Sequence, residues 1–117
     1  MKKRYRITRQ RDFQSTMDAP RLHAGRALVG FATRRSAAGS RVGVAVSRKL
    51  RGSVVRNRAR RRVREVVRTV LLAPDSVMAG AGIGYDVIVI ARPAALDMPF
   101  GLLQAEAGVL LTRLVRA

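Results

Sequence analysis

The hydrophobic positions of the chain follow two spacings, one typical of strands and one typical of helices. Near the start, Phe13 and Met17 lie four residues apart, which predicts a short helix with both side chains on one face. Thr8 is expected to cap this helix at its beginning. The helix is expected to run to about Asp18 and to be ended by Pro20.

Three later segments have the composition of strands. Residues 27–33 and 41–47 are rich in Val, Leu, Phe and Ala, and the polar segment 34–40 between them contains Gly and Ser. This pattern predicts two strands joined as a hairpin. A loop rich in Ala and Gly is expected from Pro74 to Gly84, and a further strand from Tyr85 to Ala91.

Two further helices are predicted from hydrophobic positions spaced by three and four residues. One runs from about Ser53 to Leu72 and the other from about Phe100 to Val115. The side chains expected in the core are Val55, Ala59, Val63, Val66 and Val70 in the first of these, and Leu103, Ala107, Leu110 and Leu114 in the second.

The predicted order is therefore α-β-β-α-β-α, with room for one further short strand. Such an order favours an α+β sandwich in which helices pack against a central sheet. A chain of 117 residues can bury a core of its own but leaves no room for a second one, so residues 1–117 are expected to form a single domain.

The net charge indicates an anionic partner. The chain has 24 Lys and Arg but only 7 Asp and Glu, a net charge of +17, although 48% of its residues are hydrophobic. The run from Val87 to Ala91 has the length of a strand and could not span a bilayer, and no apolar segment follows the basic start as in a secretory signal. We therefore expect a cytoplasmic protein that binds nucleic acid and no membrane. The lack of Cys is consistent with this expectation.

The long helix collects most of this charge on one face. At about 100° per residue, the arginines fall opposite the hydrophobic positions, and Glu65 is the single acid among them. A solvated helix usually mixes charges of both signs, so this density of Arg favours phosphate binding. Asn57 has a low helix propensity and is expected to make a directed contact. The polar face comprises Asn57, Arg60, Arg61, Arg64 and Arg68, with Arg58 and Arg62 on its flank.

The remaining candidates for chemistry are weak. His23 has no nucleophile or carboxylate near it in the sequence and is expected on the surface of a loop. The glycines from Gly80 to Gly84 precede a strand and do not join a strand to a helix, so they do not match a phosphate-binding loop. The seven acids are scattered, which disfavours a nuclease that holds its own magnesium. A ribosomal or other structural RNA-binding protein remains the alternative function.

One motif is more specific. The segment RVGVAVSRK, residues 41–49, is followed by VVRNRARRRVRE, residues 54–65. Together they closely resemble the signature of the bacterial ribonuclease P proteins. Weaker matches in the same order are RDFQ at 11–14, LVGF at 28–31 and DVIVIARP at 86–93. The resemblance extends over most of the chain.

The resemblance implies a fold with a left-handed β-α-β crossover and a role as the protein subunit of ribonuclease P. In that family the RNA subunit removes the 5′ leader of precursor tRNA in a reaction that requires Mg²⁺. The protein binds the catalytic RNA and the leader and is not catalytic alone. The resemblance assigns no catalytic or metal-binding residue to the chain. The positions it implies for RNA binding are Arg48, Lys49, Arg56, Asn57, Arg58, Arg60, Arg61 and Arg64, to which the helical pattern adds Arg68; those it implies for the leader cleft are Phe13, Met17 and Phe31.

Three positions depart from the family pattern. Met17 stands where the family commonly has a second aromatic residue, so the cleft is expected to stack bases less well. Arg51 replaces the usual Gly, and Ser53 replaces the usual Ala. The sequence context of Phe31 allows either a core position or a contact with the leader.

Overall fold

The structure of the protein is a computed structural model that describes residues 6–35, 39–72 and 84–116. The middle of the predicted hairpin turn and most of the predicted Pro74 to Gly84 loop lie outside these ranges. In chain order the elements are α1 Gln10–Met17, β1 Arg21–Ala24, β2 Leu28–Arg34, β3 Arg41–Val46, α2 Ser53–Val66, β4 Tyr85–Ala91 and α3 Phe100–Arg116. A π-helical turn, Val67–Leu71, extends α2, and a 3₁₀ turn, Pro93–Leu96, precedes α3.

The four strands form one sheet in the order β1-β2-β4-β3. The prediction of a hairpin between β2 and β3 is wrong, because β4 lies between them, antiparallel to β2 and parallel to β3. The sequence of β4, YDVIVIA, is apolar on both faces, as is typical of a strand with a neighbour on each side and layers on both faces. The observed hairpin joins β2 to β1, the additional short strand. The α+β class is confirmed, whereas the left-handed crossover of β3-α2-β4 stays a prediction.

The main core lies between the sheet and the helices α2 and α3. The four predicted core positions of α3 are all buried, with at most 1% of their surface exposed. In α2 the predicted core residues Ala59, Val63 and Val66 are buried, and Val70, in the π-helical turn, is partly buried against the core. Val55 is 37% exposed, and its placement in the core was wrong. The first turn of α2 packs on the preceding loop through the Arg56 side chain, so Val55 remains at the surface. At the other end the wider π-helical turn buries Val67 and Leu71.

The opposite face of the sheet carries a smaller apolar cluster and α1. Phe31 and Ile88 are buried there, and Phe13 and Met17 of α1 pack against them. A Cβ atom at Gly43 would lie 2.7 Å from Cε2 of Phe13, so this glycine lets the ring approach the strand. The predicted cap at Thr8 was wrong, because α1 begins after Arg9 and has no side-chain cap.

His23 differs most from its predicted setting. It lies in β1 with 5% of its surface exposed, not on a loop. Its Nε2 is 3.2 Å from Oε2 of Glu106, and its Nδ1 is 3.0 Å from Nη1 of Arg113. Glu106 also accepts hydrogen bonds from the backbone N–H groups of Ala27 and Leu28. The surface prediction failed because these partners lie 83 and 90 residues away on α3. His23 helps to join that helix to the sheet.

Candidate RNA-binding surface

The polar face of α2 presents several arginines to solvent. Arg58 and Arg61 are exposed, and their side chains form no ion pair or hydrogen bond with any described residue. The Arg60 guanidinium donates a 2.9 Å hydrogen bond to Oδ1 of Asn57, so the amide orients a neighbouring cation. Both free guanidinium groups can therefore bind phosphate oxygens with several N–H donors.

Arg68 differs from these two residues because it pairs with Glu65. Its Nε lies 3.1 Å from Oε2 of Glu65, and its Nη2 contacts the other carboxylate oxygen. These hydrogen bonds lower the pKa of Glu65 and raise the pKa of Arg68. The positive charge of the helix is thus reduced at this end, whereas the turn with Arg58 and Arg61 keeps its full charge.

Arg56 points inward to the loop before α2. Its guanidinium donates hydrogen bonds to the backbone carbonyls of Ser47 at 3.0 Å and Leu50 at 2.9 Å, and a longer one of 3.4 Å to Val46. The Arg56 clamp, by which we mean these three hydrogen bonds, holds the loop that carries Arg48 and Lys49. The structure therefore gives Arg56 a positioning role that its place in the motif did not reveal.

Arg62 forms a similar inward contact at the other side of α2. Its Nη1 donates hydrogen bonds to the carbonyls of Ala95, at 2.6 Å, and Leu96, at 2.8 Å, and its Nη2 donates to Met98. The 3₁₀ turn before α3 is thereby attached to α2. Helical spacing places Arg62 on the flank of the polar face, but it cannot show that a long side chain reaches back to carbonyls more than 30 residues away.

A cleft of about 600 Å³ opens on the α1 side of the sheet, opposite the face that α2 covers. Phe31 has 8% of its surface exposed, so only part of its ring reaches this cleft. Met17, at the end of α1, also lines the cleft. The apolar floor comprises Met17, Val29, Phe31, Ala45 and Ile90, and the basic rim comprises Arg21, Arg26, Arg48, Lys49 and Arg92.

The rim combines expected and unexpected residues. Arg48 and Lys49 were predicted from the motif, and both are exposed at the cleft. Arg21, Arg26 and Arg92 were missed, because they come from separate segments that only the sheet brings together. Arg92 is held by a 2.8 Å hydrogen bond from its Nη1 to the carbonyl of Gly25. No local pattern in the sequence marks these three positions.

Phe13 lies outside this cleft. It lines an adjacent hollow of about 310 Å³ together with Ile7, Gln10 and Gln14. Phe13 and Met17 share one face of α1, as predicted, and pack in the same apolar cluster as Phe31. The three predicted leader residues are therefore neighbours, but two of them line the cleft and the third lines the hollow beside it.

An apolar floor with cations at its rim suits single-stranded nucleic acid. Unpaired bases can lie against apolar and aromatic side chains while Arg and Lys bind the phosphates along the strand. Within the ranges that the structure describes, no three His, Asp or Glu side chains come together as they would to hold a metal ion. The same ranges contain no helix long and apolar enough to cross a membrane.

Comparison with known proteins settles the family. The sequence model of the family described as Ribonuclease P matches residues 1–115. The chain belongs to the ribonuclease P protein family. It is 46% identical over 114 residues to the ribonuclease P protein component of Symbiobacterium thermophilum, covering 97% of this chain and 93% of that protein. The corresponding protein of Roseiflexus castenholzii is 40% identical over 115 residues, covering 97% and 88%.

Solved structures of this family share the fold. The RNase P protein of Staphylococcus aureus is 30% identical, with a TM-score of 0.70 over 92% of this chain and 93% of that one. The RNase P protein from Thermotoga maritima, at 24% identity, shows the same fold with a TM-score of 0.71 over 92% and 96%. As a ribonuclease P protein component, the chain is part of a ribonucleoprotein that processes tRNA and therefore has an RNA partner.

Proposed function

We propose that this chain binds the catalytic RNA of ribonuclease P and the 5′ leader of precursor tRNA, and that it assists removal of the leader by the RNA subunit. The observation that carries the proposal is the presence of two different basic surfaces on opposite faces of one sheet. One is the arginine face of α2, and the other is the cleft with its apolar floor. Each surface suits a different form of RNA.

The arginine face of α2 suits the folded catalytic RNA. It offers free guanidinium groups at Arg58 and Arg61 but no exposed aromatic side chain for stacking on bases. Recognition should therefore depend on the phosphate backbone and the shape of the RNA more than on base identity. The inward-pointing Arg56 and Arg62 would support this surface from below.

The cleft suits the leader, which is the unpaired part of the precursor. Phe31 and Met17 offer an apolar floor to bases, and Arg48 and Lys49 can bind phosphates beside them. Mature tRNA has no leader, so this contact would favour the substrate over the product. The cleft thus supports a role in substrate selection.

Magnesium would be held mainly by RNA. Among the described acids, Asp12 and Asp86 are engaged by Arg41, Glu65 by Arg68, and Glu106 by backbone N–H groups. These carboxylates are therefore committed to contacts within the protein and do not suit a magnesium site. When bound, the ion would supply a nucleophile and stabilise charge at the scissile phosphate. The chain would act in the cytoplasm, where precursor tRNA is made.

The experiment that tests this proposal is sequencing of the RNA that copurifies with the chain from a bacterial cell at low salt. We expect one dominant, long, structured RNA of the ribonuclease P type, together with precursor tRNA that retains its leader. Enrichment of ribosomal RNA would instead support the alternative of a ribosomal or other structural RNA-binding protein. The Arg58→Ala/Arg61→Ala variant is purified in the same way, and RNA that is recovered with the unchanged chain but not with this variant binds through α2.

A further inference from the structure

A second basic hollow lies at the other end of the sheet from the cleft. It has a volume of about 580 Å³ and is formed where α1, β3 and β4 begin and β2 ends. The cleft, in contrast, lies where β3 ends at Val46. Arg41 at the hollow and Val46 at the cleft are five residues apart along β3, and at about 3.3 Å per residue the hollow and the cleft are about 17 Å apart. The residues that line this hollow, here called the arginine hollow, are Thr8, Arg9, Asp12, Arg34, Arg35, Arg41 and Asp86.

The carboxylates of the arginine hollow are already engaged. Arg41 donates two hydrogen bonds to Asp86, of 2.9 and 2.8 Å, and its Nη2 also lies 3.4 Å from Oδ2 of Asp12. Nε of Arg35 is 3.5 Å from Oδ1 of Asp86. Four arginines thus face two carboxylates, which leaves an excess of positive charge in the hollow.

That excess resides on Arg9 and Arg34. Both side chains are exposed, and neither forms an ion pair or hydrogen bond with a described residue. Solvated arginines scattered on a surface need no explanation, but these two border one concave site that already contains fixed guanidinium groups. Such an arrangement can offer donors from two sides to a phosphate oxygen.

The position of the arginine hollow connects it with the cleft. Met17, at the end of α1, lines the cleft, whereas Arg9, just before α1, lines the arginine hollow. The hollow beside Phe13 lies between them and also contains Arg9. All three concavities lie along α1, while the arginine face of α2 is on the other side of the sheet. A strand that leaves the cleft along α1 would pass Phe13 and then reach Arg9 and Arg34.

We propose that the arginine hollow binds phosphodiester groups of the leader upstream of the segment that occupies the cleft. This inference rests on the proposed function, since it extends the leader path assigned there. With about 3.4 Å between stacked nucleotides along a strand, the separation of about 17 Å corresponds to roughly five nucleotides. Only precursors with leaders long enough to span that distance use the arginine hollow.

The test compares Arg9→Gln/Arg34→Gln with the unchanged chain in holoenzyme assembled with a bacterial ribonuclease P RNA. Three substrates are needed: mature tRNA, a precursor whose short leader ends in the cleft, and a precursor with about five to eight further nucleotides. For the long leader, the slope of log affinity against log salt should fall by about 1.4, because each phosphate contact on a single strand contributes about 0.7. The slopes for the other two substrates should not change.

Arg11→Gln is the matched control for the loss of one positive charge, and it is compared with the single variant Arg34→Gln. Arg11 lies on α1 with its side chain 77% exposed and does not line the arginine hollow. Its Nε makes only a long contact of 3.9 Å with Oδ1 of Asp12, a carboxylate that Arg41 also holds. Loss of Arg11 should leave all three slopes unchanged, and thermal melting should show that every variant is folded. An unchanged slope for the long leader in the double variant would overturn the proposal. An equal loss of affinity for all three substrates would also overturn it, and so would a loss of affinity for the catalytic RNA alone. If the unchanged holoenzyme bound mature and precursor tRNA equally, the proposed function itself would fail, which is a distinct result.

Discussion

The Arg56 clamp allows a sharp prediction, because it separates an arginine that builds the surface from one that contacts RNA. Arg56→Ala removes the donors for the carbonyls of Ser47, Leu50 and Val46. A hydrogen bond from a charged group contributes about 1.5–3 kcal/mol, and one of the three is long at 3.4 Å. Because Arg56 is only half-buried, water can form hydrogen bonds with some of the carbonyls that lose their donor, which offsets part of the cost. We expect the free energy of unfolding to fall by about 2–4 kcal/mol.

Thermal and urea unfolding of the RNA-free protein measure this loss. For a domain of this size the expected decrease corresponds to a drop in Tm of roughly 10 °C. Arg58→Ala is the matched control, since it removes an arginine two positions further along the same helix that has no partner among the described residues. Its effect on stability should stay within about 0.5 kcal/mol, although it should weaken RNA binding.

Arg56→Lys extends the test. Lys keeps the charge but lacks the planar fork that reaches several carbonyls at once, so it should recover only part of the stability. If Arg56→Ala and Arg58→Ala melted at the same temperature and weakened RNA binding equally, Arg56 would be an ordinary RNA contact and the clamp would have no energetic role.

The other predictions concern the two RNA surfaces and the attachment of α3. Arg58→Ala/Arg61→Ala should flatten the salt dependence of binding to the catalytic RNA by roughly one to two units of log–log slope, as filter binding can measure; an unchanged slope would exclude phosphate contacts there. Phe31→Leu keeps an apolar side chain but leaves part of the buried ring's volume empty, so it should cost only about 1 kcal/mol of stability while weakening binding of precursor tRNA, whereas Phe31→Ala should cost about 3 kcal/mol of stability. Equal losses of mature and precursor tRNA with Phe31→Leu would refute the leader contact. Glu106→Ala leaves two backbone N–H groups unpaired and should lower the free energy of unfolding by about 2–4 kcal/mol in a urea titration, and an unchanged midpoint would contradict the role given to this carboxylate.

The helices and the arginine face could be predicted from the sequence because their signals are local. Spacings of three and four residues identify the buried side of α3 correctly, and the motif from Arg41 to Glu65 carries the resemblance to the family. These features depend on neighbours within one or two helical turns. Local periodicity is therefore sufficient to predict them.

The pairing of strands and the direction of long side chains could not be predicted in this way. The composition of β2 and β3 indicates two strands but does not show that β4 lies between them. Arg56 and Arg58 look equivalent in the motif, yet one reaches back to backbone carbonyls and the other faces solvent. Arg21 begins β1 and Arg92 follows β4, and both reach the cleft rim only because β2 pairs with both strands. Such relations depend on contacts between distant segments.

The central claim is that the chain assists an RNA catalyst and does not perform the cleavage. The direct measurement is the cleavage of precursor tRNA at low magnesium by the chain alone, by a bacterial ribonuclease P RNA alone, and by both together. We predict no cleavage by the rigorously RNA-free protein and a much faster reaction by the assembled pair than by the RNA alone. Metal-dependent cleavage by the RNA-free protein at a rate comparable to that of the pair would contradict the account, and so would a pair no faster than the RNA.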